Sequence, residues 1–168
     1  MPRHADHRPP TALCIAVDDL TGPDIAALLS EHVEEMRANS PANSMHALDL
    51  AALRDAAITF WSVWDGPTLL GCGALKELGP AHGEIKSMRT ASGNAGRGIA
   101  TALLAHIIEV ARARGYRRLS LETGASDFYE PAVRLYRRHG FAICPPFGDY
   151  TDDPHSVFMT ISLENVSG

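Results

Sequence analysis

The chain has 168 residues, 45% of them apolar and 21% charged, which suits one folded domain and excludes wholesale disorder. Its net charge of −5 and three scattered cysteines, Cys14, Cys72 and Cys144, argue against general nucleic-acid binding, a disulfide framework and a metal-ligand pattern. No apolar run approaches the roughly 20 residues of a membrane span, and the opening MPRHADHRPPTALC lacks the apolar centre of a signal peptide; a reduced, cytoplasmic protein is the expectation.

Pro9 and Pro10 block regular backbone pairing, so residues 1–10 read as a mobile tail ahead of a single domain over 11–168. Residues 12–17 read as a short strand. A helix follows, capped by Thr21 or Asp19, with Ile25, Leu28, Leu29, His32 or Val33, and Met36 at helical spacing. Asn39-Ser40-Pro41 stops it, and a second short helix is expected after Asp49, through Leu50, Leu53 and Ala56. Ile58–Trp64 is rich in strand formers and ends in the hairpin signal Asp65-Gly66. Residues 69–78 return as its partner, and 83–90 form a third strand after Gly79-Pro80.

The glycine-rich run Ser92-Gly93-Asn94-Ala95-Gly96-Arg97-Gly98 then opens an amphipathic helix with the apolar stripe Ile99, Leu103, Leu104, Ile107, Ile108 and Ala111. Gly115 ends that helix, residues 119–122 form a strand, and a fourth helix spans about 127–139 with Gly140 as its terminal glycine. Residues 141–144 and 157–163 are the last strands, joined by an acidic, proline-bearing loop. The result is an α/β (α+β) fold: a single mixed, mostly antiparallel sheet of about seven strands flanked by about four helices. Phe60, Trp61, Trp64, Phe128 and Tyr129 are expected in its core.

Charge is unevenly spread. Residues 1–88 carry −6, residues 89–138 carry +5 with arginine as their only basic residue, and residues 139–168 carry −4. The central block suits a polyanion and its flanks suit something cationic. Within that block, a strand, a glycine turn and a helix N-terminus expose unpaired N–H groups beside the positive end of a helix dipole, a place that holds phosphate without any lysine. The ending of a nucleotide-triphosphate loop, Gly-Lys-Ser/Thr, is missing, and Thr101 stands where a dinucleotide fingerprint needs Gly or Ala.

Ala95-Gly96-Arg97-Gly98-Ile99-Ala100 resembles the cofactor motif Arg/Gln-x-x-Gly-x-Gly/Ala of the GNAT superfamily of N-acetyltransferases, with Ala95 in place of the usual Arg or Gln. Farther on, Ala132-Val133-Arg134-Leu135-Tyr136 followed by Gly140-Phe141 resembles that family's A-x-x-L-Y-x-x-x-G-F segment, and Tyr129 replaces the asparagine often found three residues before the alanine. The order and separation of the two motifs fit, and Leu121-Glu122-Thr123-Gly124 resembles a small bacterial subgroup of undefined acceptor.

The resemblance implies a GNAT-like acyl-CoA N-acyltransferase fold, acetyl-CoA as co-substrate with no metal, and transfer of acetyl to a primary amine of a small molecule or peptide. It also implies no role for nucleic acid or membrane, and homodimerisation is common in such proteins. The cofactor-binding residues it implies are Met88, Arg89, Thr90, Ala95, Gly96, Arg97, Gly98, Ile99, Ala100, Thr101 and Tyr129, and the arginine block independently points to Arg97, with Arg134 or Arg138, as facing the phosphates. The Met88 N–H would stabilise the oxyanion and Tyr136 would protonate the leaving thiolate, since a phenol of ordinary pKa about 10 keeps its proton at neutral pH. Glu84 is the first choice for base, with Glu122, His46 and bulk water as rivals, while His46, Glu122 and Tyr150 are expected to line the acceptor site. Strict strand alternation would put Glu84, Lys86 and Met88 on one face, where Glu84 and Lys86 could equally be a salt bridge. A CoA-binding regulatory module and a transferase of another acyl group are the alternative readings.

Overall fold

A computed structural model describes residues 13–42, 50–94 and 96–164; the expected tail over residues 1–10, His46 and Ala95 lie outside them. In chain order the elements are β1 (Cys14–Val17), α1 (Pro23–Asn39), β2 (Ile58–Asp65), β3 (Thr68–Gly79), β4 (His82–Thr90), α2 (Ile99–Ala113), β5 (Arg118–Gly124), α3 (Glu130–Arg138), β6 (Ala142–Ile143) and β7 (Ser156–Ser162). One seven-stranded sheet runs β1-β2-β3-β4-β5-β7-β6. Its pairs are antiparallel except β4 with β5, which α2 connects.

The expected stripe of α2 is buried residue for residue: Ile99, Leu103, Leu104, Ile107, Ile108 and Ala111. Each such aliphatic side chain contributes roughly 1.5–3 kcal/mol on burial. With Leu135 and Tyr136 of α3, they pack on Leu75, Ile85, Leu119, Leu121 and Met159. The opposite face carries Ile25, Leu28 and Leu29 of α1 against Phe60, Cys72 and Ala74.

Three expectations change. The second short helix is a single 3₁₀ turn, Ala52–Arg54, anchored by buried Leu53. Asp55 ends it by accepting the Ala57 N–H on its own Oδ1 at 2.8 Å, an alternative to continuing the helix. Helix α1 is capped by Gly22 rather than by Thr21 or Asp19: Asp19 Oδ1 accepts from the Thr21 hydroxyl at 2.6 Å, and Pro23 presets the first helical φ. Phe128 is 45% exposed rather than core; it lies in the 3₁₀ turn Asp127–Tyr129 that precedes α3, stacked edge-on against Tyr129.

Two irregularities shape the centre of the sheet. Gly73 of β3 stands opposite both Ser87 and Met88, a β-bulge in which Ser87 takes a left-handed φ of 56°. The extra residue inverts the alternation. Glu84 and Lys86 share one face, but Met88 turns to the α2 face and packs on its core, while Arg89 reaches α1. Gly73 makes this fit, since a Cβ there would lie 2.5 Å from Met88 Sδ and 3.0 Å from Leu103 Cδ2. The second irregularity is a splay: β4 and β5 pair from His82/Arg118 to Ile85/Leu121 and no farther, although they run on to Thr90 and Gly124.

Candidate active site

Where β4 and β5 part, the backbone groups along their facing edges lose their ladder partners. A cavity of about 690 Å³ occupies the gap and is lined from both faces of the sheet. On the α2 side its wall includes Gly96, Gly98, Ile99, Ala100, Thr101, Leu135, Tyr136 and Arg138. On the α1 side it includes His32, Glu35, Met36, Glu84, Lys86 and Glu122.

The α2 end is made of main chain. Gly96 and Gly98 have φ of 81° and 79°, a left-handed conformation that costs other residues roughly 1–2 kcal/mol. Gly98 is the N-cap of α2, and the first intrahelical bond runs from the Ala102 N–H to the Gly98 carbonyl. The N–H groups of Ile99, Ala100 and Thr101 therefore stand at the start of the helix with no intrahelical acceptor, suited to an anion. Arg138 lines the same cavity. Arg97 is exposed and outside the wall, with its guanidinium donating to Asn94 Oδ1 at 2.6 Å, and Arg134 is exposed, 3.8 Å from Glu130.

Met88, Arg89 and Thr90 of β4 and the buried Tyr136 of α3 also line the cavity. The Tyr136 ring meets Phe141 edge-on at 5.7 Å, and burial raises its phenol above the usual range. Cys72 also borders the cavity, donates to the Ser87 carbonyl at 3.4 Å, and is pushed up to about 12 by burial. That thiol stays protonated and is a poor nucleophile. Tyr129 lines the wall with its ring against Gly124, where a Cβ would collide with it, and its hydroxyl shares a 2.6 Å hydrogen bond with Ser40.

The α1 end is made of charged side chains. The Arg89 side chain, 13% exposed, pairs with Glu31 at 2.8 Å and with Glu35, both on α1. Those two acids hold its guanidinium more firmly protonated, while its Nε is buried with no acceptor among the described residues. Glu84 and Lys86 pair at 3.0 Å with side chains only 4% and 9% exposed. Tyr150, in the loop between β6 and β7, closes a triangle with them: its hydroxyl donates to Glu84 Oε2 at 2.6 Å and accepts from Lys86 Nζ at 2.9 Å. Tyr150 thus backs the cavity instead of lining it. Glu122 accepts from Ser156 Oγ at 2.9 Å and faces the cavity where the strands part.

Sequence reasoning missed His32, which it read only as a position in an apolar stripe. Burial and the nearby Arg89 lower its pKa to about 4, so it is a neutral imidazole on the cavity wall. The sequence signal was a histidine one turn from Glu35 on a helix face. It becomes informative only once that face is known to border a cavity.

Residues 25–141 match the acetyltransferase (GNAT) family. An uncharacterized N-acetyltransferase, YsnE, from Bacillus subtilis is 55% identical over 149 residues, 89% of this chain and 99% of that protein. Among solved structures, an acyl-CoA N-acyltransferase-type protein from Klebsiella pneumoniae superposes with a TM-score of 0.77 at 26% identity, over 92% of this chain and 99% of its own. A GNAT family acetyltransferase from Elizabethkingia anophelis, solved with acetyl-CoA bound, superposes with a TM-score of 0.62 at 18% identity, over 89% of this chain and 97% of its own.

Proposed function

Because this chain belongs to the acetyltransferase (GNAT) family, we propose that it moves an acetyl group from acetyl-CoA to a primary amine by direct attack, in the cytoplasm. One observation carries the reading: a single gap between β4 and β5 connects the bare N–H groups at the start of α2 with a charged chamber on the opposite face. A diphosphate held on the amides from Gly96 to Thr101, with Arg138 beside it, would lead the thioester along β4 toward Met88 and Tyr136. The acceptor would enter from the α1 end. The bound acetyl-CoA of the Elizabethkingia protein, which shares the fold, supports this choice of donor.

In the reaction the amine nitrogen bonds to the thioester carbonyl carbon and the carbon–sulfur bond breaks. The Met88 N–H, at the bulge, stabilises the oxyanion of the tetrahedral intermediate. Tyr136 gives its proton to the departing thiolate, and burial suits it to that task by keeping the phenol protonated. The amine's proton passes to Glu122 through water. Glu84, the first choice on sequence grounds, already accepts from both Lys86 and Tyr150 on Oε2, so it serves to fix its neighbours. Protonated Cys72 favours direct transfer over an acyl-enzyme.

Calorimetry with coenzyme A and thiol release from acetyl-CoA test the proposal together. Binding of coenzyme A, and release that depends on an added primary amine, are expected. Binding with no release across a broad amine panel would reduce the protein to a CoA-binding module, and no heat at millimolar coenzyme A would refute the reading entirely.

A further inference from the structure

The charged chamber on the α1 face has a feature that transfer chemistry does not use. Lys86 is nine-tenths buried and lines the cavity, yet an ammonium group carries three donors. Two of them go to Glu84 Oε2 at 3.0 Å and to the Tyr150 hydroxyl at 2.9 Å. The third has no acceptor among the described residues. A donor left unmet in a buried site costs free energy that a suitable ligand would recover.

The pair is also rigid. Tyr150, which holds both partners, is wedged edge-on against Phe147 at 5.2 Å and tilted on Phe158 at 5.4 Å, so the cation and the anion are fixed side by side. The phosphate cradle lies on the other face of the sheet, so this cation is not placed for the diphosphate. Beside Lys86 the wall carries Glu84 and Glu122, one anion tied to the cation and one where the strands part. Arg89, the other cation on this side, has its two terminal nitrogens on carboxylates of α1, and only its Nε lacks an acceptor among the described residues. A ligand matching this pattern carries one negative group for Lys86 and, next to it, an amine that faces carboxylates. A simple amine or polyamine would leave the Lys86 donor unmet.

Resting on the proposed N-acetyl transfer, we propose that the acceptor is a free α-amino acid, its carboxylate received by the spare Lys86 N–H and its amine presented to the thioester beside Glu122. Lys86 then acts in binding and selectivity, and it touches the acceptor rather than the reacting sulfur.

The test is thiol release from acetyl-CoA with the common L-amino acids, each paired with its amide and its decarboxylated amine, and with a polyamine and an aminoglycoside alongside. At least one free amino acid should surpass its amide by about tenfold or more in kcat/KM, because a site built around a hydrogen bond rejects the analogue that lacks the group. Lys86→Met should raise KM for the free acid and bring that ratio toward one, and Lys86→Arg should restore part of it. Calorimetric affinity for coenzyme A reports that each variant is folded. Equal use of acid and amide, or an equal loss on both in Lys86→Met, would make Lys86 a brace for the Tyr150 loop and overturn the inference. Turnover with the polyamine or aminoglycoside but with no amino acid would overturn it too, leaving the transferase reading intact. No turnover with any acceptor would instead strike at the transferase reading.

Discussion

The two ends of the cavity are built from different materials. At the α2 end, glycines at positive φ and the first N–H groups of a helix present a main-chain surface. At the α1 end, Glu84, Lys86, Tyr150, Arg89 and two glutamates of α1 form interlocked side-chain pairs. A main-chain surface tolerates side-chain change as long as the backbone keeps its shape. A side-chain site changes its specificity with single substitutions. On the proposed function, donor and acceptor would be served by separate parts of one cavity.

Substitutions can break this division in descending order of effect. The largest is at the junction, where no backbone group replaces a phenol: Tyr136→Phe should lower turnover about 100-fold or more with coenzyme A affinity unchanged in calorimetry. Near-normal turnover would remove Tyr136 from the mechanism. Next is Gly98→Ala, which adds a side chain where φ is 79°. Coenzyme A affinity should fall about tenfold, in line with a left-handed penalty of about 1–2 kcal/mol, while turnover at saturating donor changes little. Unchanged affinity would mean that the loop does not hold the diphosphate.

The smallest effect is on stability. His32 has its folded-state pKa lowered to about 4 from an ordinary 6.5, and His82 is lowered as well, by burial and then by Arg118. Between those values the unfolded chain binds more protons, so stability is complete above about pH 6.5 and falls as pH drops toward 4. The urea midpoint should decline over that range, and His32→Gln should flatten part of the decline. The Glu31 and Glu35 carboxyls, lowered by the Ser92 and Arg89 hydrogen bonds and by the Arg89 hydrogen bond respectively, extend the loss below about pH 4.5. An unaltered slope in His32→Gln would show that this imidazole is not desolvated.

The helix stripe of α2, the Asp65-Gly66 hairpin and the glycine loop were legible because each depends on neighbours within a few residues. Periodicity decides which face is apolar, and glycine decides where the chain turns sharply. The salt bridge between Glu84 and Lys86 was legible for the same reason, as a two-residue spacing on a strand. The direction of Met88 was not: a bulge depends on the partner strand, and Gly73 opposite Ser87 and Met88 leaves no local mark on β4. Arg97 and Arg138 are equally basic in the sequence, and only the packing of α3 turns Arg138 toward the cavity. The short helix after Asp49 fell to a side-chain bond at Asp55 that competes with the helix.

By itself, the order of residues determined the family, the strand and helix sequence, and the glycine turn that opens α2, since local backbone preference and periodic burial are written along the chain. Tertiary structure alone decided that β4 and β5 part after Ile85 and Leu121, that Tyr150 returns from a distant loop to lock Glu84 and Lys86, and that His32 faces the cavity as a neutral ring. Those facts arise from contacts between residues far apart in sequence, and their energies exist only once the sheet has brought the partners together.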